Sequence, residues 1–301
     1  MSQTRQRVAI TGASGLIGGA LSASLLEQGH DVVHLVRREP GAAHERRWDP
    51  AEGQLDPSDL ADVDTVVHLA GAGVGDHRWT DEYKRTIRSS RVDGTTLASR
   101  VVANGAGPNR LISASAVGFY GDRGDEVLTE HSSPGTGFLA DVVREWEGAT
   151  AAAVDAGVPV AHVRTGIVLS TKGGALTPML RLGRLGLGGP LGSGRQWMPW
   201  ITLTDVVGVY QRLIEDHSIT GAVNATAPHP VRQRTLARTI GRALDRPAIL
   251  PAPALAMRVV LGEFAGDVLA SAKVLPQHLD RVGFTHQHPY LAEAINHLLR
   301  D

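Results

Sequence analysis

Three glycines near the beginning of the chain have the spacing of a phosphate-binding site. Gly12, Gly15 and Gly18 directly follow the apolar run Val8-Ala9-Ile10. The first glycine of such a pattern allows a tight turn, the second lets the backbone approach a diphosphate, and the third lets a helix pack closely on a strand. The unpaired amides of that helix then face the anion. The pattern therefore predicts a dinucleotide site, with contacts from Gly12, Ser14, Gly15, Leu16 and Ile17.

Two arginines follow the second predicted strand and indicate which dinucleotide binds. After Gly18, leucines recur at helical spacing, and residues 31–36 are typical of a strand that completes a β-α-β unit. A carboxylate at the end of that strand binds the adenosine ribose hydroxyls, whereas a cation accommodates a 2′-phosphate. Arg37 and Arg38 occupy this position, and the first acid after the strand is Glu39. We therefore predict that the two arginines bind NADP(H). Solvation of the strand end is the alternative, above all for Arg38.

A third predicted strand supplies a second set of cofactor contacts. Residues 63–69 end in the small residues Ala70-Gly71-Ala72-Gly73. Small residues at this point would let the cofactor lie across the carboxyl end of the strand. We therefore add Leu69, Ala70 and Gly71 to the predicted cofactor contacts.

Strands and helices alternate through the first half of the chain. A helix is predicted from Thr80 to Asn104, because Thr80 is a good N-cap and acids fill the first turn. A strand is predicted at 110–113, a helix over 138–156 and a strand over 158–164. This alternation predicts an α/β fold built on a doubly wound parallel sheet.

The second half of the chain has a weaker pattern of elements. A glycine-rich tract over residues 183–194 predicts a loop or lid over the substrate, and residues 221–225 are expected to return to the sheet. A last helix is expected near Pro289. These features predict a smaller, mostly helical C-terminal substrate lobe. We divide the chain into a cofactor-binding core (1–170), a lid with returning sheet elements (171–248) and a C-terminal lobe (249–301).

Composition and charge exclude several classes of function. The chain has 301 residues, 42% of them hydrophobic, and a formal net charge of −1. A net charge this close to zero does not indicate the excess of basic residues that nucleic-acid binding requires. The sequence also has no apolar stretch long enough to span a membrane. Cysteine is absent, and the 13 histidines form no H-E-x-x-H pair, so we predict no metal site. A polar N-terminus without a signal-peptide pattern favours a cytoplasmic protein. We expect a monomer or homodimer that acts on a small molecule.

Longer motifs along nearly the whole chain resemble a known superfamily. They are ITGASGLIG (10–18), HLAGAGVGDHRWT (68–80), SASAVGFYGDRGDEVLTE (113–130), FLADVVREWE (138–147), RTGIVLS (164–170) and WMPWITLTDVVG (197–208). Through them the chain resembles the extended and atypical short-chain dehydrogenases/reductases, and among these the nucleoside-diphosphate-sugar epimerase-like proteins labelled "epimerase family protein". The segments LGEFAGDVLAS and KVLPQHLDRVGF resemble the small end domain of that family. The resemblance implies a Rossmann core and places Gly166, Ile167 and Val168 at the nicotinamide amide.

The usual catalytic pair of that superfamily is missing from this chain. The resemblance implies a serine, a tyrosine and a lysine, the last two as Y-x-x-x-K on a helix beside the nicotinamide. Phe138 and Val142 stand at the equivalent spacing, and neither can hold a proton. Ser115 keeps the serine position and Tyr120 brings a phenol to the following turn, so we predict that these two are catalytic. The alternatives are a hydroxyl that satisfies backbone at a strand end for Ser115 and an aromatic anchor for Tyr120.

Other side chains admit two interpretations each. The charged loop at 122–126 either binds a polar substrate or pairs its own charges. Arg164 lies in the cofactor-binding motif or serves a core ion pair. Trp197 and Trp200 either stack on a sugar or base or pin the lid to the core.

The sequence as a whole predicts an NADP(H)-dependent oxidoreductase or epimerase acting on a small polar substrate. A nucleotide sugar is the substrate that the family label implies. The missing Y-x-x-x-K pair motivates an alternative, a non-catalytic protein that senses NADP(H) or scaffolds a partner.

Overall fold

A computed structural model describes residues 5–300, and its centre is a seven-stranded parallel sheet. The strands in these residues are β1 (Arg7–Thr11), β2 (Asp31–Val36), β3 (Glu45–Arg47), β4 (Thr65–His68), β5 (Arg110–Ala116), β6 (Val127–Leu128), β7 (Val160–Thr165), β8 (Ile167–Leu169), β9 (Trp197–Met198), β10 (Trp200–Thr202), β11 (Gly221–Ala225), β12 (Val231–Arg232) and β13 (Lys273–Val274). The order across the large sheet is β11-β7-β5-β4-β1-β2-β3, with every neighbouring pair parallel. The chain therefore reverses its direction of strand addition between β1 and β4, where doubly wound sheets bind their ligands.

Helices cover both faces of this sheet. They are α1 (Leu16–Glu27), α2 (Asp81–Ala103), α3 (Phe138–Gly148), α4 (Ala151–Asp155), α5 (Leu176–Arg184), α6 (Leu203–Glu215), α7 (Gln233–Ala243), α8 (Ala254–Leu261), α9 (Phe264–Leu269), α10 (Gln277–Arg281) and α11 (Leu291–Leu298), with 3-10 turns at Pro57–Leu60 and Val117–Tyr120. Helices α1 and α6 share one buried cluster with Val8 and Ile10, while α2 shares another with Ala9. The alternation along β1 follows from the two-residue period of a strand. The predicted doubly wound parallel fold is confirmed.

An edge strand and an interrupted helix are among the differences from the sequence prediction. Strand β3 lies at the edge of the sheet and was not predicted, because its residues, Glu-Arg-Arg, carry no apolar signal. The single helix expected over 138–156 is interrupted between α3 and α4. There the Thr150 hydroxyl donates to the Glu147 carbonyl at 2.8 Å and contacts His162 Nε2 at 2.9 Å. A threonine that bonds the preceding turn competes with the helical ladder, and the helix is interrupted at this residue.

The C-terminal segments pack back onto the rest of the chain. Helices α7 and α11 meet in one apolar cluster through Leu236, Ile240 and Ile295. Strand β13 pairs in parallel with β6, with Lys273 opposite Val127. A smaller, mostly helical region therefore stands beside the carboxyl edge of the large sheet. Over residues 5–300, no helix combines the length and the apolar character that crossing a membrane requires.

Candidate functional site

The turn between β1 and α1 has a shape that only glycine permits. Gly12 has a φ of +68°, and a Cβ there would lie 2.9 Å from the Ala70 amide nitrogen. A Cβ at Gly18 would lie 2.3 Å from the Gly12 carbonyl oxygen. Helix α1 begins at Leu16 with no side-chain cap on its first turn. Its amide donors therefore remain available to an anion at the positive end of the helix dipole.

Thr11 joins this turn to the segment that follows β4. Its hydroxyl oxygen accepts from the amides of Leu69 at 3.0 Å and Ala70 at 3.1 Å. It also lies 2.8 Å from His68 Nδ1. Because the oxygen already accepts twice, it donates to Nδ1, which puts the imidazole proton on Nε2. Burial lowers the pKa of His68 to about 4, so the ring is neutral. The predicted contacts Leu69 and Ala70 are thereby held against the glycine turn, and Gly71 follows them in the chain.

The two arginines after β2 have different surroundings. Arg38 forms a two-point ion pair with Glu45, with Nη1 2.8 Å from Oε2, and also donates to the Glu39 carbonyl at 2.9 Å. Arg37 is exposed, and no ion pair or hydrogen bond engages it within the described part of the chain. A guanidinium without an internal partner is available to a ligand, whereas that of Arg38 is already engaged. The geometry therefore favours Arg37 for a 2′-phosphate.

The segment Gly166–Val168 lies at the carboxyl end of β7, as the sequence predicts. Its first amides are used within the protein, since Gly166 N donates to Ala225 O at 3.0 Å and Ile167 N to Pro199 O at 2.7 Å. After β8 the chain passes over the start of α1. A Cβ at Gly174 would lie 3.4 Å from the Leu16 side chain. The structure thus places the four predicted cofactor segments at the carboxyl edge of the sheet, after β1, β2, β4 and β7.

Ser115 belongs to a buried charged network. Its hydroxyl donates to Glu147 Oε1 at 2.6 Å, and only 4% of the residue is exposed. Both Glu147 oxygens also accept from Arg164, each at 2.8 Å. Burial raises the pKa of Glu147, but the hydrogen bonds and charge of Arg164 outweigh it and hold the pKa below its ordinary value. Arg164 is thus a core ion-pair residue, and sequence reasoning missed Glu147 as the partner of the serine.

Tyr120 lies in the protein interior, where other residues engage its hydroxyl. The residue is fully buried, and its hydroxyl lies 2.7 Å from Asn224 Oδ1 and 3.0 Å from Thr129 O. It accepts from Arg164 Nη1 at 3.0 Å. Burial, despite the nearby cation, raises the pKa of this phenol. The expected proton-transfer role of Tyr120 therefore does not fit this geometry, which supports the alternative, an aromatic anchor.

Apolar side chains occupy the places of the missing tyrosine and lysine, with Phe138 at the first and Val142 at the second. The Phe138 ring centroid is 5.0 Å from that of Trp79, which lies 5.3 Å from that of Phe264 on α9. Val142 is buried in the same cluster with Ile87. The site thus has an apolar wall where the superfamily it resembles carries its proton-transfer pair.

A cavity of about 470 Å³ opens between the loop after Tyr120 and the C-terminal region. Polar residues on its wall include Asp122, Asp125, Ser193, Arg195, Arg232 and Ser271. Asp125 pairs with Arg232 at 2.8 Å and accepts from Trp197 Nε1 at 2.8 Å. The Arg232 guanidinium also lies 4.2 Å from the centre of the Trp197 ring. This cavity has the size and polarity of a small-ligand site.

Contacts in these loops bear on the alternatives for the charged loop and for Trp200. Arg123 forms a two-point ion pair with Glu126, so the charged loop pairs part of its own charge while other residues of it line the cavity. Trp200 is 1% exposed and donates to the His229 carbonyl, which identifies it as a core residue. Among residues 5–300, no group of three or more histidine and acidic side chains is arranged to hold a metal ion.

Comparisons with known proteins agree with this geometry. A family model described as "NAD dependent epimerase/dehydratase family" matches residues 8–225, and one described as "Domain of unknown function (DUF1731)" matches residues 252–298. An "Epimerase family protein" of Mycobacterium bovis is 44% identical over 291 residues, which are 96% of each chain.

Two solved structures are also similar to this chain. The human epimerase family protein SDR39U1 with NADPH superposes with a TM-score of 0.90 at 30% identity, covering 98% of this chain and 99% of the human one. A nucleoside-diphosphate sugar epimerase from Corynebacterium glutamicum has a TM-score of 0.83 at 40% identity. The match covers 98% of this chain but only 58% of the Corynebacterium chain.

Proposed function

Because the chain belongs to the NAD dependent epimerase/dehydratase family, we propose that it binds NADP(H) and uses it to oxidise, reduce or epimerise a small polar substrate. The observation that carries this proposal is the turn at Gly12 and Gly18, whose backbone excludes any Cβ and leads into an uncapped helix. Such a turn accepts the diphosphate of a dinucleotide. The NADPH in the human relative supports the same cofactor.

The cofactor would lie across the carboxyl edge of the sheet. Leu16 and Ile17 supply the first helical amides for the diphosphate, while Arg37 supplies a free guanidinium for the 2′-phosphate. The backbone at Gly71 and the half-buried side chains of Ile167 and Val168 border the remaining part of the dinucleotide. When bound, the nicotinamide supplies or accepts a hydride.

The substrate side of the proposal relies on the cavity lined by Asp122, Arg195 and Arg232. Two guanidinium groups suit an anionic or hydroxyl-rich ligand, and a nucleotide sugar has both kinds of group. The name of the Corynebacterium relative supports this substrate class. Ser115 occupies the position of the superfamily's catalytic serine. Because the Ser115 hydroxyl already donates to Glu147, we propose that a bound water or a substrate hydroxyl carries the proton to or from the reacting oxygen of the substrate.

A substrate screen tests this function. Purified protein is incubated with NADPH and a panel of carbonyl compounds, and the near-ultraviolet absorbance of the reduced nicotinamide is followed. Nucleotide sugars are incubated with NADP⁺ and separated by chromatography, because an epimerisation regenerates its cofactor. Turnover of any member above a Gly18→Ala control supports the enzyme. Tight NADPH binding without turnover of any member would instead favour a sensor.

The sensor or scaffold is the second candidate, and one observation favours it. Phe138 and Val142 are packed into an apolar cluster where the proton-transfer pair is expected, and the Tyr120 phenol is engaged in the core. No described side chain at these positions can exchange a proton with a ligand. A protein of this kind would bind NADP(H) and change its affinity for a partner.

A further inference from the structure

Arg91 on α2 lies beside the segment that follows β4. Its side-chain atoms would be 3.4–3.6 Å from a Cβ at Gly71. The guanidinium carbon lies 5.1 Å from the centre of the Trp146 ring on α3. Nη1 donates at 3.0 Å to the carbonyl of Ile87 in its own helix. The guanidinium therefore sits between two helices, at the edge where the cofactor segments meet.

The Arg91 guanidinium lacks a carboxylate partner among residues 5–300. Within residues 5–300, no carboxylate forms an ion pair with Arg91, although burial is strong enough to lower its pKa. The buried Arg164, in contrast, has both oxygens of Glu147. Arg110 donates to two backbone carbonyls. Arg91 is half-buried, and a partly desolvated cation with one carbonyl partner is stabilised when a ligand supplies a further acceptor.

The position of Arg91 relative to the sheet indicates which half of the dinucleotide it contacts. A dinucleotide straddles the point where strand order reverses, with one half on each side. Arg37 follows β2, on one side of β1, and marks the adenosine half. Gly71 follows β4, on the other side of β1, and Trp146 lies on α3, farther along the same side next to β5. Arg91 therefore faces the nicotinamide half.

The same region lacks the lysine of the usual catalytic pair. Val142, at the lysine position, packs with Ile87, which lies one helical turn before Arg91. Trp146 lies one turn after Val142 on α3. Helix α2, which packs against α3, thus places the Arg91 cation one helical turn from the position where the lysine is expected.

We propose that Arg91 is a cofactor-binding residue whose guanidinium donates to the nicotinamide-side ribose and its phosphate. This inference rests on the proposed function, because it requires NADP(H) at the Gly12 turn. Guanidinium groups bind phosphate and diol oxygens through paired N–H donors. A fixed positive charge here also disfavours the cationic ring of NADP⁺ relative to the neutral ring of NADPH.

Ligand fragments separate this contact from a structural role. Calorimetry measures the affinity of full-length protein for NADPH, NADP⁺, reduced nicotinamide mononucleotide and adenosine 2′,5′-bisphosphate. Arg91→Met keeps an unbranched stem over Trp146 and removes the charge. We expect it to weaken NADPH and the mononucleotide about ten-fold to a hundred-fold, to leave the bisphosphate unchanged and to reduce the preference for NADPH over NADP⁺. Arg91→Lys should recover part of both losses.

Arg88→Met is the matched control, since Arg88 lies one turn earlier on α2 and pairs with the exposed Glu145 at 3.2 Å. It should change none of the four affinities. Equal losses for the mononucleotide and the bisphosphate, or no loss of NADPH affinity in R91M, would overturn the assignment. Should R91M not fold, R91K decides: an unchanged affinity for the mononucleotide refutes the contact. If wild-type protein binds neither NADPH nor the bisphosphate, the proposed function itself fails.

Discussion

Arg37→Met provides the sharpest test of cofactor choice. The wild-type side chain is exposed and has no partner within residues 5–300, so its removal should leave the free energy of unfolding within about 0.5 kcal/mol. A guanidinium bonded to a 2′-phosphate contributes about 1.5–3 kcal/mol. The dissociation constant for NADPH should therefore rise about ten-fold to a hundred-fold. NADH has no 2′-phosphate, so its affinity should stay within about two-fold.

The measurement is a calorimetric titration of each coenzyme into wild-type and variant protein at fixed salt. Arg38→Met is the matched control, because the Arg38 guanidinium already pairs with Glu45 and has less freedom to meet a ligand. It should disturb NADPH affinity less than Arg37→Met does. Equal weakening of NADPH and NADH by Arg37→Met would refute the 2′-phosphate contact. An Arg37→Glu variant should weaken NADPH still further, because repulsion replaces attraction.

Three other outcomes follow from the same geometry. Gly18→Ala places a methyl 2.3 Å from a backbone carbonyl oxygen and should abolish NADPH binding in a titration. In the control Gly19→Ala, the methyl lies 3.4 Å from its nearest neighbour, so this variant should bind NADPH normally. Loss of binding in both variants would contradict the steric argument. Arg164→Met should lower the free energy of unfolding, measured in urea at neutral pH, by about 3–5 kcal/mol. Because the pKa of Glu147 is lowered in the folded protein, the difference between wild type and variant should shrink as the pH falls through that pKa. A difference that does not depend on pH would refute the ion pair. Tyr120→Phe should lose about 1–3 kcal/mol of stability and keep its NADPH affinity; loss of turnover with unchanged stability would restore a catalytic role.

The features predictable from sequence are those whose causes are local. The turn at Gly12 and the start of α2 at Thr80 each depend on residues a few positions apart, and the structure has both where they are expected. The Thr80 hydroxyl accepts from the Tyr83 amide at 3.1 Å. Strand β3 was missed because a short polar strand at a sheet edge is specified by its neighbour β2 and not by its own pattern.

The roles of buried polar groups depended on distant contacts. Tyr120 looks like a candidate acid in sequence, yet its hydroxyl is fixed by Asn224, which is 104 positions away. Ser115 meets Glu147 only because α3 packs beside β5. Arg91 resembles any solvated helix arginine until Gly71 and Trp146 are seen around it. Periodicity reports which face of a helix is apolar, but it does not report which polar group lacks a partner.

The pairing of β6 with β13 has a consequence for how the protein is made. Leu269 and Ser271, which directly precede β13, line the cavity together with Asp122 and Asp125, so part of its wall is supplied by residues synthesised long after the rest. The Glu130 carboxylate likewise accepts from the His278 amide at 3.1 Å. During synthesis on the ribosome, the glycine turn and its flanking strands emerge early, whereas the cavity can form only after nearly the whole chain has been made. The glycine turn is therefore complete before the cavity is, and a chain released before Leu269 would lack that part of the wall.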